Sequence, residues 1–243
     1  MSRLRFRLLY LVLLPAIAVA TGILGYYSWR AATQYTRLGD QTIAESTLLL
    51  VSEKVDQVET ELIDADNTVF AMVRLSDPTA IEETWPEVAE AETPSIRAVL
   101  VLDDTGNVLG YAYRGSASAK RELLKVFQDS ILPDLELERQ RLWRLKHLHA
   151  TYGDTTYLVS YKAVRWEGRR FYVVAQHDTR WIVRDLFPEL FATEEGKRLY
   201  NVVDQESARV YGPSLARAGD YLVGRRFPTT LYEWRLQVAP KQA

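Results

Sequence analysis

The 243-residue chain contains no cysteine. That excludes disulfides, thiolate metal sites, a cysteine nucleophile and a lipid-modified N-terminal cysteine. It leaves an oxidising compartment open, because a chain of this length buries enough core to stand without staples. Histidine is scarce as well: His147, His149 and His177 are the three. Neither sign of charge dominates, with 30 basic and 32 acidic residues. That balance excludes a strongly basic nucleic-acid binder, and 47% hydrophobic residues exclude a disordered chain. The sequence also lacks GxSxG, HExxH and P-loop patterns. No pair of acids is singled out for acid–base work. The chain is therefore expected to be no enzyme, with no catalytic residue, no metal and no cofactor.

Charge is also missing locally. Residues 8–27 read LLYLVLLPAIAVATGILGYY, without a single charged residue. Twenty residues at 1.5 Å each match the roughly 30 Å hydrocarbon core of a bilayer. Arg3, Arg5 and Arg7 precede the run and predict a cytoplasmic N-terminus. Tyr26, Tyr27 and Trp29 fit an interfacial aromatic belt. The expectation is one inner-membrane span with the bulk of the chain periplasmic. The rival is a cleaved signal peptide with Ala18-Val19-Ala20 before the cut and Thr21 after it. Without the three arginines, the formal charge falls from -2 to -5, a mildly acidic exterior.

A long helix is predicted next. Positions 44, 48, 51, 55, 58, 62, 65, 69 and 72 are all apolar, spaced alternately by four and three. That is a stripe of about four heptads. Two uses fit it: packing on the chain's own sheet, or a homodimer seam through Leu48, Val51, Val55, Val58 and Leu62. Ser76-Asp77-Pro78 ends the helix, since the residue before proline avoids the helical region.

Residues 96–113 read as a hairpin around Asp103-Asp104-Thr105-Gly106-Asn107. A helix over 117–132 and strands over 141–150, 155–164 and 170–177 complete a five-stranded antiparallel sheet. A smaller unit follows: a helix over 181–191, a hairpin over 199–212, and strands over 221–227 and 231–239. VLDDTGNVLG at 101–110 and VVDQESARVYG at 202–212 share a plan: two apolar residues, an aspartate, a polar turn, an apolar pair and a glycine. Such an internal repeat predicts related modules in tandem. The expected class is α+β, with a transmembrane helix over 1–27, a long helix over 28–77, a membrane-distal module over 78–178 and a smaller membrane-proximal one over 179–243.

This order resembles the extracytoplasmic Cache-type, PAS-like sensor regions of bacterial receptors. LYNVVDQESARVYGP at 199–213 and VGRRFPTTLYEWRLQVAP at 223–240 are similar to sensor regions of membrane-bound histidine kinases. The resemblance spans about residues 30–240. It implies two tandem PAS-like modules, a small-molecule ligand, a homodimer and a kinase beyond a second membrane helix. The chain stops at Ala243, where that helix would begin, so a fragment is expected. A chemoreceptor or cyclase sensor region, or a secreted small-ligand-binding protein, are the alternatives. The Tyr/Arg/Trp/Asp pattern of amino-acid-binding Cache domains has no match.

Candidate ligand residues are Tyr111, Tyr113, Trp143, Tyr157 and Tyr161, same-face aromatics of a curved sheet, together with His147 and His177. Core packing is the plain alternative for the aromatics. The imidazoles, with Asp178 beside His177, suit pH sensing or zinc, yet no third ligand is fixed by spacing. Arg114, Arg144 and Lys162 are candidate anion partners.

Overall fold

The computed structural model describes residues 2–192, 198–215 and 222–241; the side chains of 2–14 and 36–41 lie outside the description. The chain divides into two compact units, Met1–Thr47 and Leu48–Ala243. Helix α1, Ser2–Met72, begins in the first and ends in the second. In the first unit Val19, Leu24, Tyr27, Trp29 and Tyr35 are exposed apolar side chains. Among the described residues no helix is long and apolar enough to cross a membrane. Residues 8–14 of the uncharged run lie outside the described side chains.

In the second unit the heptad stripe is buried from Val51 to Val69, while Leu48 is half exposed. The four-three spacing puts these residues on one helix face, and that face meets two different cores. Val51, Val55, Val58 and Leu62 pack with Phe187, Val202, Phe227 and Leu236. Ala65 and Val69 pack with Trp85, Val99, Val173 and Ala175. Of the seam read from the sequence, Val51, Val55, Val58 and Leu62 are thus covered by the chain's own core, which leaves only Leu48 free to meet a partner.

After α1, a 3-10 turn at Pro78–Ala80 leads into α2, Ile81–Glu92. The sequence reading gave no element here, because five glutamates and Pro86 hide a stripe only three residues long: Ile81, Trp85 and Ala89. Trp85 is fully buried and its indole donates to Thr93 Oγ1 at 2.9 Å.

Strands β1 (Ile96–Leu102) and β2 (Val108–Tyr113) form the expected hairpin. Helix α3, Ala117–Val126, runs through a π turn at Phe127–Ile131 into α4, Leu132–Asp134. Strands β3 (Leu145–Tyr152), β4 (Thr155–Trp166) and β5 (Arg169–His177) complete the five-stranded antiparallel sheet, in the order β2-β1-β5-β4-β3. One face carries Val99, Val101, Val173 and Ala175 toward α1 and α2. The other carries Leu100, Val159, Tyr161 and Val174 under Leu123, Phe127 and Ile131. The predicted strand from Arg141 starts four residues late. Trp143 has a φ of 65° and 61% exposure; its N–H donates to the Ala163 carbonyl at 2.7 Å, and the regular antiparallel ladder begins only at Leu145.

Asp178 caps a helical stretch made of α5 (Thr179–Trp181), a π turn (Ile182–Leu186) and α6 (Phe187–Phe191). Pro188 sits in the first turn of α6, where its missing N–H is tolerated. Strands β6 (Arg198–Val203), β7 (Arg209–Tyr211), β8 (Val223–Arg226) and β9 (Arg235–Pro240) form a second antiparallel sheet, ordered β7-β6-β9-β8. Residue 221 of the expected strand lies outside the described residues. The last strand starts late because Leu231 to Trp234 closes a turn, with Trp234 N–H donating to the Leu231 carbonyl at 2.7 Å. The class is α+β.

The two repeat-like hairpins share a turn atom for atom. Asp103 Oδ1 accepts N–H groups from Thr105 and Asn107 at 2.9 and 2.8 Å. Asp204 Oδ1 accepts from Glu206 and Ala208 at the same two distances. The fourth turn residue has positive φ in both, 87° at Gly106 and 66° at Ser207.

Candidate functional site

The five-stranded sheet sets out chemistry on both faces. On the face away from α1, a cavity of about 240 Å³ opens beside α3. Its walls include Arg97, Tyr113, Glu122, Tyr157, Gln176 and Asp178. Arg97 is the one charge in the apolar run of β1. Its Nε donates to Tyr113 Oη at 3.0 Å, and its guanidinium lies 5.6 Å from the centre of that ring. Gln176 is buried, and its Oε1 has no hydrogen-bond partner although its amide donates to the His177 carbonyl. A buried carbonyl oxygen left unpaired is costly, so it is a ready acceptor for a ligand donor. Arg97 and Arg180 bring positive charge to the walls, Glu122 and Asp178 negative charge.

A larger cleft, about 850 Å³, lies against both sheets and is lined by Asp134, Asp154, Asp204, Glu206 and Glu233. Two of its acids are already employed: Asp134 accepts from Tyr152 Oη at 2.5 Å, and Asp204 holds its turn. Burial and then the neighbouring Asp204 charge raise the pKa of Glu233. The smaller cavity differs in holding a buried oxygen without a partner.

On the opposite face, toward α1, lies a buried polar cluster. Asp66 of α1 has no exposure. Its Oδ2 accepts from His147 Nε2 at 3.1 Å and its Oδ1 from His177 Nε2 at 2.9 Å. Ser160 Oγ lies 3.1 Å from the same His177 nitrogen. Burial opposes the Asp66 charge, but the two imidazoles outweigh it and hold the carboxyl below its ordinary range. Among the described residues no group of three or more histidines and acids is placed to hold a metal ion. One heptad earlier on α1, Glu59 accepts from the N–H groups of Thr229 and Thr230 at 3.1 and 3.0 Å. Both buried acids thus lie on one side of the helix, two turns apart, and tie it to both parts of the second unit.

The residues expected from the sequence separate across these places. Tyr113 and Tyr157 line the cavity. Tyr111 and Tyr161 are buried in the adjoining core, and Tyr111 Oη donates to the Lys120 carbonyl at 2.9 Å. Trp143 is exposed and joins none of them. His147 and His177 face α1, because strand side chains alternate and the aromatics occupy the other parity. Arg114 is turned to the Pro94 carbonyl at 2.5 Å. Sequence reasoning missed Arg97, Gln176 and Asp66. Arg97 had a signal, being a lone charge inside IRAVLVL. Asp66 and Glu59 had one too, as acids seven apart directly after stripe residues Ala65 and Val58.

No protein-family model matches the chain, and no curated protein matches it in sequence. Solved structures match in fold. The periplasmic domain of Vibrio cholerae LuxQ shares 11% identity at a TM-score of 0.51, over 82% of this chain and 100% of that one. The extracellular domain of the putative histidine kinase vpHK1S-Z8 shares 11% at 0.48, over 82% and 95%. An extracellular ligand-binding receptor from Desulfohalobium retbaense shares 12% at 0.46, over 78% of this chain and 39% of that one, so the chain spans well under half of that receptor. These neighbours, with ligand-binding domains of chemoreceptors among them, are extracytoplasmic sensor domains of the kind the sequence resembles. At these identities the likeness to LuxQ shows the fold.

Proposed function

We propose that this chain is the periplasmic ligand-sensing region of a transmembrane two-component histidine kinase. The observation that supports it best is the 240 Å³ cavity, where the Gln176 oxygen is buried without a partner beside Arg97 and Asp178. A site with both signs of charge and one spare acceptor suits a small zwitterion such as a free amino acid: carboxylate to Arg97, ammonium to Gln176 and Asp178. A membrane span over residues 8–27 fits the uncharged run and the three arginines before it. The two sheets, each with the same aspartate turn, fit membrane-distal and membrane-proximal modules over 78–178 and 179–243. The kinase output rests on the similarity of 199–213 and 223–240 to kinase sensor regions. A chemoreceptor or cyclase output would use the same exterior, and a homodimer through the exposed side of α1 near Leu48 would serve either. The sign of the response follows from which of two packings the ligand binds more tightly.

The test is a thermal-shift screen of the full chain in detergent against the standard L-amino acids at millimolar concentration. At least one compound is expected to raise the melting midpoint. Arg97→Ala and Gln176→Leu are each expected to abolish that shift while keeping the unliganded midpoint within a few degrees. A shift that survives both substitutions places the ligand elsewhere.

A further inference from the structure

At the end of β5, consecutive residues of the five-stranded sheet meet the cavity and the long helix in turn. Gln176 and Asp178 line the cavity. His177, between them, points the opposite way and donates to Asp66 of α1. Residues adjacent in a strand project to opposite faces, so the peptide groups joining these three are shared by both. The structure also pins this tripeptide: Ile96 pairs with His177, and Asp178 N–H donates to the Ser95 carbonyl at 2.7 Å.

The geometry points to His177 as the residue that transmits cavity occupancy to the long helix, with Asp66 and His147 as its positioning partners. The inference rests on the reading of the 240 Å³ cavity as the ligand site. A ligand that draws in the unpaired Gln176 oxygen, or the Asp178 carboxylate, moves the backbone on either side of His177. The imidazole then shifts against a carboxylate with no exposure, which has no water to replace a lost donor. Such a contact is steep. Charge-assisted hydrogen bonds weaken sharply once distance or angle departs from the optimum. Asp66 therefore moves with His177 or breaks from it, and either outcome changes how α1 packs on the sheet. His147 holds the second carboxylate oxygen, so the rest of the sheet resists the shift and two discrete packings become available.

The test is hydrogen exchange by mass spectrometry on the full chain in detergent, with no ligand added. Gln176→Leu removes the amide on the cavity side of β5, together with its bond to the His177 carbonyl. It is expected to speed exchange of α1 amides 60–70 by at least about tenfold, with β1 and β4 still protected. Arg97→Ala alters the same cavity from another strand and is expected to leave those amides within about twofold. In an Asp66→Asn background, Gln176→Leu is expected to add nothing, because the route is already cut. Unchanged exchange over 60–70 in folded Gln176→Leu overturns the inference. So does an effect that adds in full to that of Asp66→Asn. If the amino-acid screen finds no binder while Gln176→Leu loosens α1, the transmission contact stands and the ligand assignment falls. If a compound binds through Arg97 but α1 ignores Gln176→Leu, the reverse holds.

Discussion

Buried ionisable side chains in this chain come in two kinds, and acid separates them. His149 is fully buried, with its ring edge-on to Trp234 at 4.8 Å and its Nδ1 accepting from Glu233 N–H at 3.2 Å. Burial without a carboxylate partner pushes its pKa from 6.5 down to about 3. The unfolded chain therefore takes up a proton that the folded chain refuses, and stability falls as pH drops from 6.5 toward 3. Asp66 behaves differently. Its folded pKa lies below the ordinary 3.8, so its contribution is whole above 3.8 and is lost only as pH falls through the lower folded value. Urea unfolding at pH 7 and pH 5 distinguishes them: His149 alone is expected to cost the wild type about 2 kcal/mol over that interval. His149→Gln, whose amide oxygen can still accept from Glu233, is expected to lose most of that dependence. Asp66→Asn is expected to keep it. An equal pH dependence in wild type and His149→Gln would refute the assignment.

The stripe on α1 shows what a sequence says about an element and what it withholds. Its period was legible from residue 44 to residue 72, as were both hairpins and the five-stranded antiparallel sheet, though not the order of its strands. The partner of the stripe was not legible. The spacing that builds a dimer seam also builds a helix packed on two sheets, and only tertiary contacts decide. The consequence is measurable. Val55 is fully buried and Leu48 half exposed. Val55→Asp places an unpaired charge in the core and is expected to cost more than about 4 kcal/mol, whereas Leu48→Asp stays within about 1 kcal/mol. Urea melts that showed equal losses would restore the seam reading. The site was half legible for a similar reason. Tyr113 and Tyr157 could be read from strand parity. Trp143 could not be excluded, because its left-handed backbone breaks the alternation that placed it. Arg97 and Gln176 needed the cavity to give them meaning.

At the scale of the whole molecule, the chain combines an uncharged N-terminal run, a long helix and a two-sheet unit that shares its fold with the periplasmic domain of LuxQ. Composition alone described an ordinary mildly acidic protein. The division into a cationic N-terminal segment and an acidic remainder gives the averages their meaning. The missing cysteines now become useful, since any cysteine introduced is the only thiol in the chain. The proposed sensing role requires the two-sheet unit to lie outside the inner membrane. Ser118 is exposed at the start of α3 and serves as the reporter. In intact cells, a membrane-impermeant maleimide is expected to label Ser118→Cys fully and Ser2→Cys only after the membrane is permeabilised. Ser118→Cys protected until permeabilisation, with Ser2→Cys labelled from outside, would contradict the account.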